Sequence, residues 1–475
     1  MYSIGEGVGG YIIGYVYDRY PQSSKFLLQC GMVIGLVSAC FYSVAPVFGE
    51  STGQLILLVC RFFQGVDNGG RQTIEQTFIS SIVPPKHQAT VSSRLSSFAI
   101  TGIMMGPALG APLQAVSFEI PWLGLAVDGN NSPGFFLAIV CAANIAVTSL
   151  YFKPKALKDT QAVEKSSSRN NDAEAALLAS EPPPRRLGIY TCYVIFFTIF
   201  ASMAMLETIT PVVVQRLYGW GPCLNPTSCI FKPEQTYVDT LLASGGFMAL
   251  AMCLLMSFWL GAKCHGREVY CICLGLSVGV ATNLMDVDFS GSLPAWRFVL
   301  GYMTGAFLGG FARGPTYALF SQIIGPHPKA GYVGASFVWG AVPRVIGPFI
   351  FLHMLNLPEP FREANFRDVY VGPVPRTWLL YGGFAVWNLL VVFLVLVARN
   401  DLQPHPALRR SAQSSPNDLG KALLPKEALV GDESGECSWL PSTPIGINEG
   451  IGETMRSWSR EGFSPTERSQ ANLAE

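Results

Sequence analysis

Arg61-Phe62-Phe63-Gln64-Gly65 and Arg297-Phe298-Val299-Leu300-Gly301 are two copies of one short pattern, set far apart in a chain of 475 residues. Gly106-Pro107 and Gly347-Pro348 form a second pair in the same order. In a third, Gly14 with Asp18-Arg19 closes an early apolar stretch, and Gly261 with Gly266-Arg267 closes a later one. The three separations agree to within about a dozen residues. Any one pair is weak, but the shared order and spacing point to an internal duplication.

What is duplicated is apolar. Half the residues are hydrophobic and only 13% are charged, against roughly a quarter in soluble domains. A helix needs roughly 20 largely apolar residues to cross a bilayer. Stretches of that kind fall at 2–17, 26–49, 54–83, 94–116, 134–152, 188–214, 238–262, 269–286, 296–324, 332–355 and 378–398. The fold class expected is an all-α polytopic membrane protein of two pseudo-symmetric halves. The second half holds six spans, with its Gly266-Arg267 turn after the second. The first half reaches the equivalent Asp18-Arg19 turn after only one. A six-helix first half lacking its first helix is therefore expected, a late-starting gene model being the simpler cause and an eleven-span protein the alternative.

Lys and Arg in short loops set orientation. Arg19, Lys25, Lys86, Arg94, Lys153, Lys155, Lys158, Arg185, Arg186, Lys263, Arg267 and Lys329 share one side, which is read as cytosolic. The organisation expected is an N-terminal half 1–152, a linker 153–187, a C-terminal half 188–398 and a tail 399–475. Linker and tail are rich in Ser, Pro, Glu and Gln and lack the apolar content to fold alone, so both are read as disordered and cytosolic. On the other side, Cys223 and Cys229 share one loop and are a candidate disulfide. Asn130-Asn131-Ser132 is an N-glycosylation pattern at Asn130, disfavoured by the following Pro133.

Zero formal net charge gives no reason to expect nucleic acid. The other cysteines stand mostly singly in apolar stretches, which is not a metal framework. His87, His265, His327 and His405 lie outside the spans, and no nucleophile–base grouping is present. Neither an enzyme nor a bound metal or cofactor is expected. The partners expected are the lipid bilayer and a small solute or ion, with the chain acting as a monomer.

Gly14-x-x-x-Asp18-Arg19 and Arg61-x-x-x-Gly65 resemble loop and helix signatures of the major facilitator superfamily. More specific stretches resemble its lysosomal branch of the neuronal ceroid lipofuscinosis type 7 protein, the domain-containing protein 8 line. They are Tyr2-Ser3-Ile4-Gly5, Leu206-Glu207-Thr208-Ile209-Thr210-Pro211, Ile324-Gly325-Pro326-His327-Pro328 and Arg344-Val345-Ile346-Gly347-Pro348. Vacuolar phosphate transporters with an SPX domain are more distant in pattern. The resemblance runs to about residue 398 and implies the major facilitator fold, a solute path between the halves and a lysosomal or vacuolar membrane. The branch often carries an arginine about where Glu75 stands, and this chain has Arg71 one turn earlier. Gly106-Pro107 is part of an antiporter motif whose earlier glycine is replaced by Ser97, so antiport is not established.

Ionisable groups inside a span are functional by default. Asp67, Arg71 and Glu75 recur every four residues, a −/+/− ladder along one helix face. Arg61 stands at the signature position and reads as structural. Glu207 lies mid-span with Pro211 four residues on. Proline removes a helix hydrogen bond there, so a broken helix beside a carboxylate is expected, a setting for proton handling or for pairing with Arg313 or Arg344. Arg313 sits in a Gly-rich segment expected to flex, and Arg344 follows Pro343. Two arginines on a central path would favour an anion; bridging to Glu207 or Glu75 is the alternative. Glu6 shares a face with Gly9, Gly10 and Gly14 and is expected at the cavity. Three functions stay open: an alternating-access carrier of a small solute, anionic substrates being favoured by the arginines and proton coupling by Glu207; an anion (chloride) channel on the same scaffold; and a receptor or scaffold without transport.

Overall fold

The computed structural model describes residues 1–114, 116–120, 125–128, 131–152, 182–218, 220, 233–261, 263, 265–290, 293–325, 327–355, 376–406 and 408. Eleven long helices fill them: α1 Tyr2–Arg19, α2 Ser24–Val44, α3 Glu50–Ile82, α4 Pro85–Gln114, α5 Ser132–Tyr151, α6 Arg186–Tyr218, α7 Pro233–Leu255, α8 Glu268–Met285, α9 Ala295–Ile324, α10 Ala330–Leu355 and α11 Thr377–Val397. A small antiparallel hairpin, β1 Phe118–Ile120 with β2 Leu125–Val127, pairs Phe118 with Val127 between α4 and α5.

Seven of the described helical segments are long and apolar enough to cross a membrane. The helices outside that group are α1, α3, α4 and α9. The reason is chemical. Their sequences carry Glu6, the Asp67–Glu75 run, serines at 92, 93, 96 and 97, and Arg313. A helix that faces protein instead of lipid can hold such groups and drops in hydropathy accordingly. By contrast α5 is almost wholly exposed along its apolar length, as a lipid-facing helix should be.

The duplication shows in how equivalent arginines are used. The Arg61 guanidinium on α3 lies 4.9 Å from the Tyr42 ring centroid on α2. Arg297 on α9 donates to the Met285 and Val287 carbonyls at the end of α8. Each arginine thus ties its helix back to the preceding one. Across the halves, α1 packs on α10, and α4 packs on α7 and α9.

Close backbone approach holds the first half together. Side chains at Gly5 or Gly9 would strike the α3 backbone at Phe62 or Val66, and those at Gly65 or Gly69 would strike the α1 backbone at Tyr2 or Glu6. Small residues at such contacts gain dispersion and remove lipid from the seam. In the second half, large side chains dominate instead. Phe196, Phe320, Phe337, Ile195, Ile199 and Leu276 are buried together between α6, α8, α9 and α10.

Three sequence expectations change here. The helix α6 runs unbroken through Pro211; one missing hydrogen bond does not break a helix whose neighbours hold it. The Gly-rich part of α9 is continuous helix as well. Gly310 lies against the Ala249 carbonyl of α7, and Gly314 against Ser93 of α4, so these glycines serve packing and not flexing. The boundary at 398 also falls short. Residues 398–400 form a 3-10 turn, Leu402 and His405 are buried, and the His405 amide donates to the Gln322 carbonyl at 3.0 Å. Residues 153–181 and 409–475 lie outside the described residues.

Candidate functional site

Charges that the sequence placed in three separate spans meet in one polar chain. Arg344 of α10 donates to Glu6 of α1 at 2.9 Å, and Glu6 is 3% exposed. Asn68 of α3 donates to the other Glu6 oxygen at 3.1 Å, and Arg71 donates to Asn68 at 3.2 Å. Arg71 also faces Glu75 at 3.8 Å. A single path of bonds therefore links α10, α1 and two turns of α3, joining residues of both halves.

Arg313 of α9 stands beside this chain on different terms. Its guanidinium donates to Gln72 at 3.1 Å and lies 5.5 Å from the Phe200 ring centroid and 6.0 Å from that of Tyr317. Arg344 shares the same Phe200 ring at 4.9 Å. Among the described residues no carboxylate pairs with Arg313, it is only 7% exposed, and its Nε has no hydrogen-bond partner. Burying a guanidinium without a counter-charge is costly by several kcal/mol on the usual scale. Arg344 is balanced by Glu6. Arg313 is not balanced.

Two sequence-read partnerships are corrected. Asp67 does not join Arg71 in an ion pair; its carboxylate lies over Gly31 and Gly35 of α2, and one oxygen has no partner. Neither Arg313 nor Arg344 pairs with Glu207. Glu207 is exposed on α6, in the wall of a cavity of 220 Å³ lined also by Met203, Leu206, Gly245, Tyr302 and Ala306. Glu6, which the sequence only placed near the cavity, takes the Arg344 partnership.

The family model described as Major Facilitator Superfamily matches residues 1–348. The chain belongs to the major facilitator superfamily. It is 20% identical over 400 residues to Major facilitator superfamily domain-containing protein 8 of Xenopus laevis, covering 73% of this chain and 75% of that one. It is 30% identical over 117 residues to the MFS-type transporter FPY5 of Fusarium mangiferae, only 25% of this chain and 19% of that protein. Among solved structures it superposes on the human organic anion transporter MFSD10 (TETRAN) with a TM-score of 0.58 at 13% identity, over 83% of this chain and 82% of that one. The proton:xylose symporter XylE gives 0.55 at 14% identity, over 86% and 87%. Likeness at those identities establishes the fold, and the branch resemblance read from the sequence holds in the first relative. The chain is a multi-pass membrane protein with a transporter fold.

The superfamily signature has a visible task at the Lys/Arg-rich end. The Asp18 carboxylate accepts from the Ala330 amide at 2.9 Å and the Gly331 amide at 2.6 Å, so it caps the first turn of α10 from the tip of α1. A carboxylate there meets unpaired N–H groups and the positive end of the helix dipole. Gly14 lets α1 reach the Ala330 carbonyl. Arg19 is exposed and donates to the Tyr15 hydroxyl at 3.4 Å. Lys329 donates to the Ser80 carbonyl at 3.2 Å and to Ser321 at 3.0 Å, and burial pushes its ammonium down to about 8. Asp18→Ala should cost this closure about 1 kcal/mol, or roughly a fivefold rise in opening. The check is the rate at which a thiol reagent reaches a cysteine placed at buried Gln76; an unchanged rate would show that Asp18 does not hold the seam.

The remaining signature positions are structural or lie elsewhere. Gly65 is part of the α1–α3 seam. Gly347 faces Phe351 of its own helix, and Pro348 lies inside α10. Gly106 and Pro107 lie within α4, in a part whose side chains are not among those described. Cys223, Cys229 and Asn130 lie outside the described residues. Sequence reasoning missed Asn68, Gln72 and Phe200. The first two carried a usable signal, being amides interleaved with Asp67, Arg71 and Glu75 on α3. Phe200 carried none, since it is one of many aromatics in an apolar span.

Proposed function

We propose that this chain is a secondary active carrier of a small anion, moving it by alternating access and coupling it to protons through Glu207. The observation that carries the reading is Arg313, a buried guanidinium with aromatic faces around it, an unpartnered Nε and no carboxylate to balance it. An anionic solute would supply the missing charge and accept charge-assisted hydrogen bonds. Arg344 lies across the same Phe200 ring and is released to the solute when Glu6 gives it up.

Alternating access requires a polar element that belongs to both halves and can be broken. The Arg344–Glu6–Asn68 chain has that form, with α10 on one side and α1 and α3 on the other. A lysosomal or vacuolar membrane, where a proton gradient is available, fits the resemblance of the sequence. Operation as a monomer fits a path contained within one chain, and no enzymatic chemistry is proposed.

Flux of a panel of small inorganic and organic anions into vesicles reconstituted with the purified chain tests the reading. At least one anion should be taken up, and Arg313→Gln should lower its uptake by at least about tenfold, as the loss of one charge-assisted bond of about 1.5–3 kcal/mol implies. Uptake of neutral or cationic solutes alone, or unchanged anion flux in the variant, would defeat it.

A further inference from the structure

The end of the second half opposite the Lys/Arg-rich face buries a carboxyl group that the transport path does not use. Asp286 caps the C-terminus of α8, directly after the apolar span Glu268–Met285. It is 4% exposed, and its Oδ1 has no hydrogen-bond partner. The carboxyl presses on α9, where any side chain at Gly301 would collide with it. The next residue, Val287, packs on a buried apolar cluster that includes Leu293, Phe298, Leu380 and Tyr381.

The cation that should neutralise Asp286 is present but engaged elsewhere. Arg297 of α9 gives its guanidinium to the carbonyls of Met285 and Val287, the two residues flanking Asp286. The other titratable groups facing the carboxyl are Tyr218 of α6 and Tyr381 of α11, with Asp288 in the following loop. Tyr218 spends its hydroxyl proton on the Leu293 carbonyl at 2.7 Å, and Thr377 at the start of α11 holds the Asp288 carbonyl at 2.8 Å. Arg297, Tyr218 and Thr377 thus each serve a backbone carbonyl. Burial, only partly offset by Arg297, pushes the Asp286 carboxyl up to about 8.

We propose that Asp286 is a proton-binding site whose protonated form locks the ends of α6, α8, α9 and α11 together. On deprotonation the carboxyl O–H gives its proton to water, and the carboxylate left behind cannot stay buried without a cation. Arg297 is the cation in reach. Turning to the carboxylate, it must release the Met285 and Val287 carbonyls, so the last turn of α8 loses its cap and its hold on Gly301. Proton binding and packing are therefore linked at this end of the molecule.

The direction of the pH effect follows. The packed form holds the proton up to about pH 8, whereas an opened, solvated carboxyl loses it near 4. Stability of the packed end is full below about pH 4, falls as pH rises, and has lost the proton's contribution above about pH 8. Between those limits the opened population grows up to about tenfold per pH unit.

Hydrogen exchange on the full chain in lipid nanodiscs, with peptides covering 280–302 and rates corrected for intrinsic pH dependence, reads this directly. Protection should fall by up to about 100-fold from pH 5.5 to pH 7.5 in the natural sequence. Asp286→Asn, neutral and of the same shape, should stay protected and flat across that range, while Glu207→Gln should keep the full response. A flat profile in the natural chain overturns the proposal without need of any variant. So does a pH response that survives Asp286→Asn or disappears in Glu207→Gln, the latter assigning the proton to the central site.

Discussion

Arg344→Ala is expected to abolish the proposed anion binding and to destabilise the protein together. The substitution leaves Glu6 buried at 3% exposure with its counter-charge gone and only Asn68 in contact. Removing one partner of a buried pair costs about 3–5 kcal/mol, because the other charge stays behind in a poor solvent. The thermal unfolding midpoint of the purified variant should fall clearly. Adding Glu6→Gln should recover much of the stability, since a neutral amide there still accepts from Asn68. The same double variant should not recover uptake, which needs the guanidinium itself. Recovery of both would reduce Arg344 to a structural partner of Glu6, and recovery of neither would mean that the helix seam, and not the charge, had been lost.

Glu207→Gln is expected to separate transport from its energy source. Glu207 is exposed in a largely apolar cavity, and α6 runs past it unbroken. Its position on α6 is two turns beyond Phe200, about 10 Å along the axis, while Phe200 carries both arginines. When Glu6 and Arg344 part during the cycle, Glu207 is the next carboxylate along the same helix face. One coupled proton supports up to tenfold accumulation for each pH unit across the membrane. The variant should lose that accumulation and keep exchange of labelled for unlabelled solute at near-normal rate. Paired measurements with and without a pH gradient, at matched protein amounts, settle it. Full gradient-driven uptake in the variant would move the coupling group to Glu6 or Glu75.

How much of this was legible beforehand depends on the range of the interaction. Helix positions were legible because apolar length is a local property, and the reading 54–83 differs little from α3 at Glu50–Ile82. The Arg71–Glu75 contact was legible too, being an i,i+4 pair. Asp67 was misassigned by the same rule. The helix period is the same for both pairs, and what separates them is a contact it does not show: Asp67 settles over the gap left by Gly31 and Gly35 of α2. The Arg344–Glu6 pair spans 338 positions. Nothing local marks one intramembrane carboxylate over another as the partner, so Glu207 and Glu6 were equally eligible until the packing of α1 on α10 decided between them.

The glycine seam between α1 and α3 bears on inherited variation. Gly5, Gly9, Gly65 and Gly69 each stand where added atoms would enter the opposite backbone, and backbone cannot rotate aside as a side chain can. Every single-nucleotide missense change of a glycine codon adds at least a methyl group. None of these four positions thus has a conservative replacement within one mutational step, whereas exposed leucines on α5 and α11 have several. Clinical or breeding variants that spare expression yet cripple the protein should concentrate in this short stretch of two helices, out of proportion to its length.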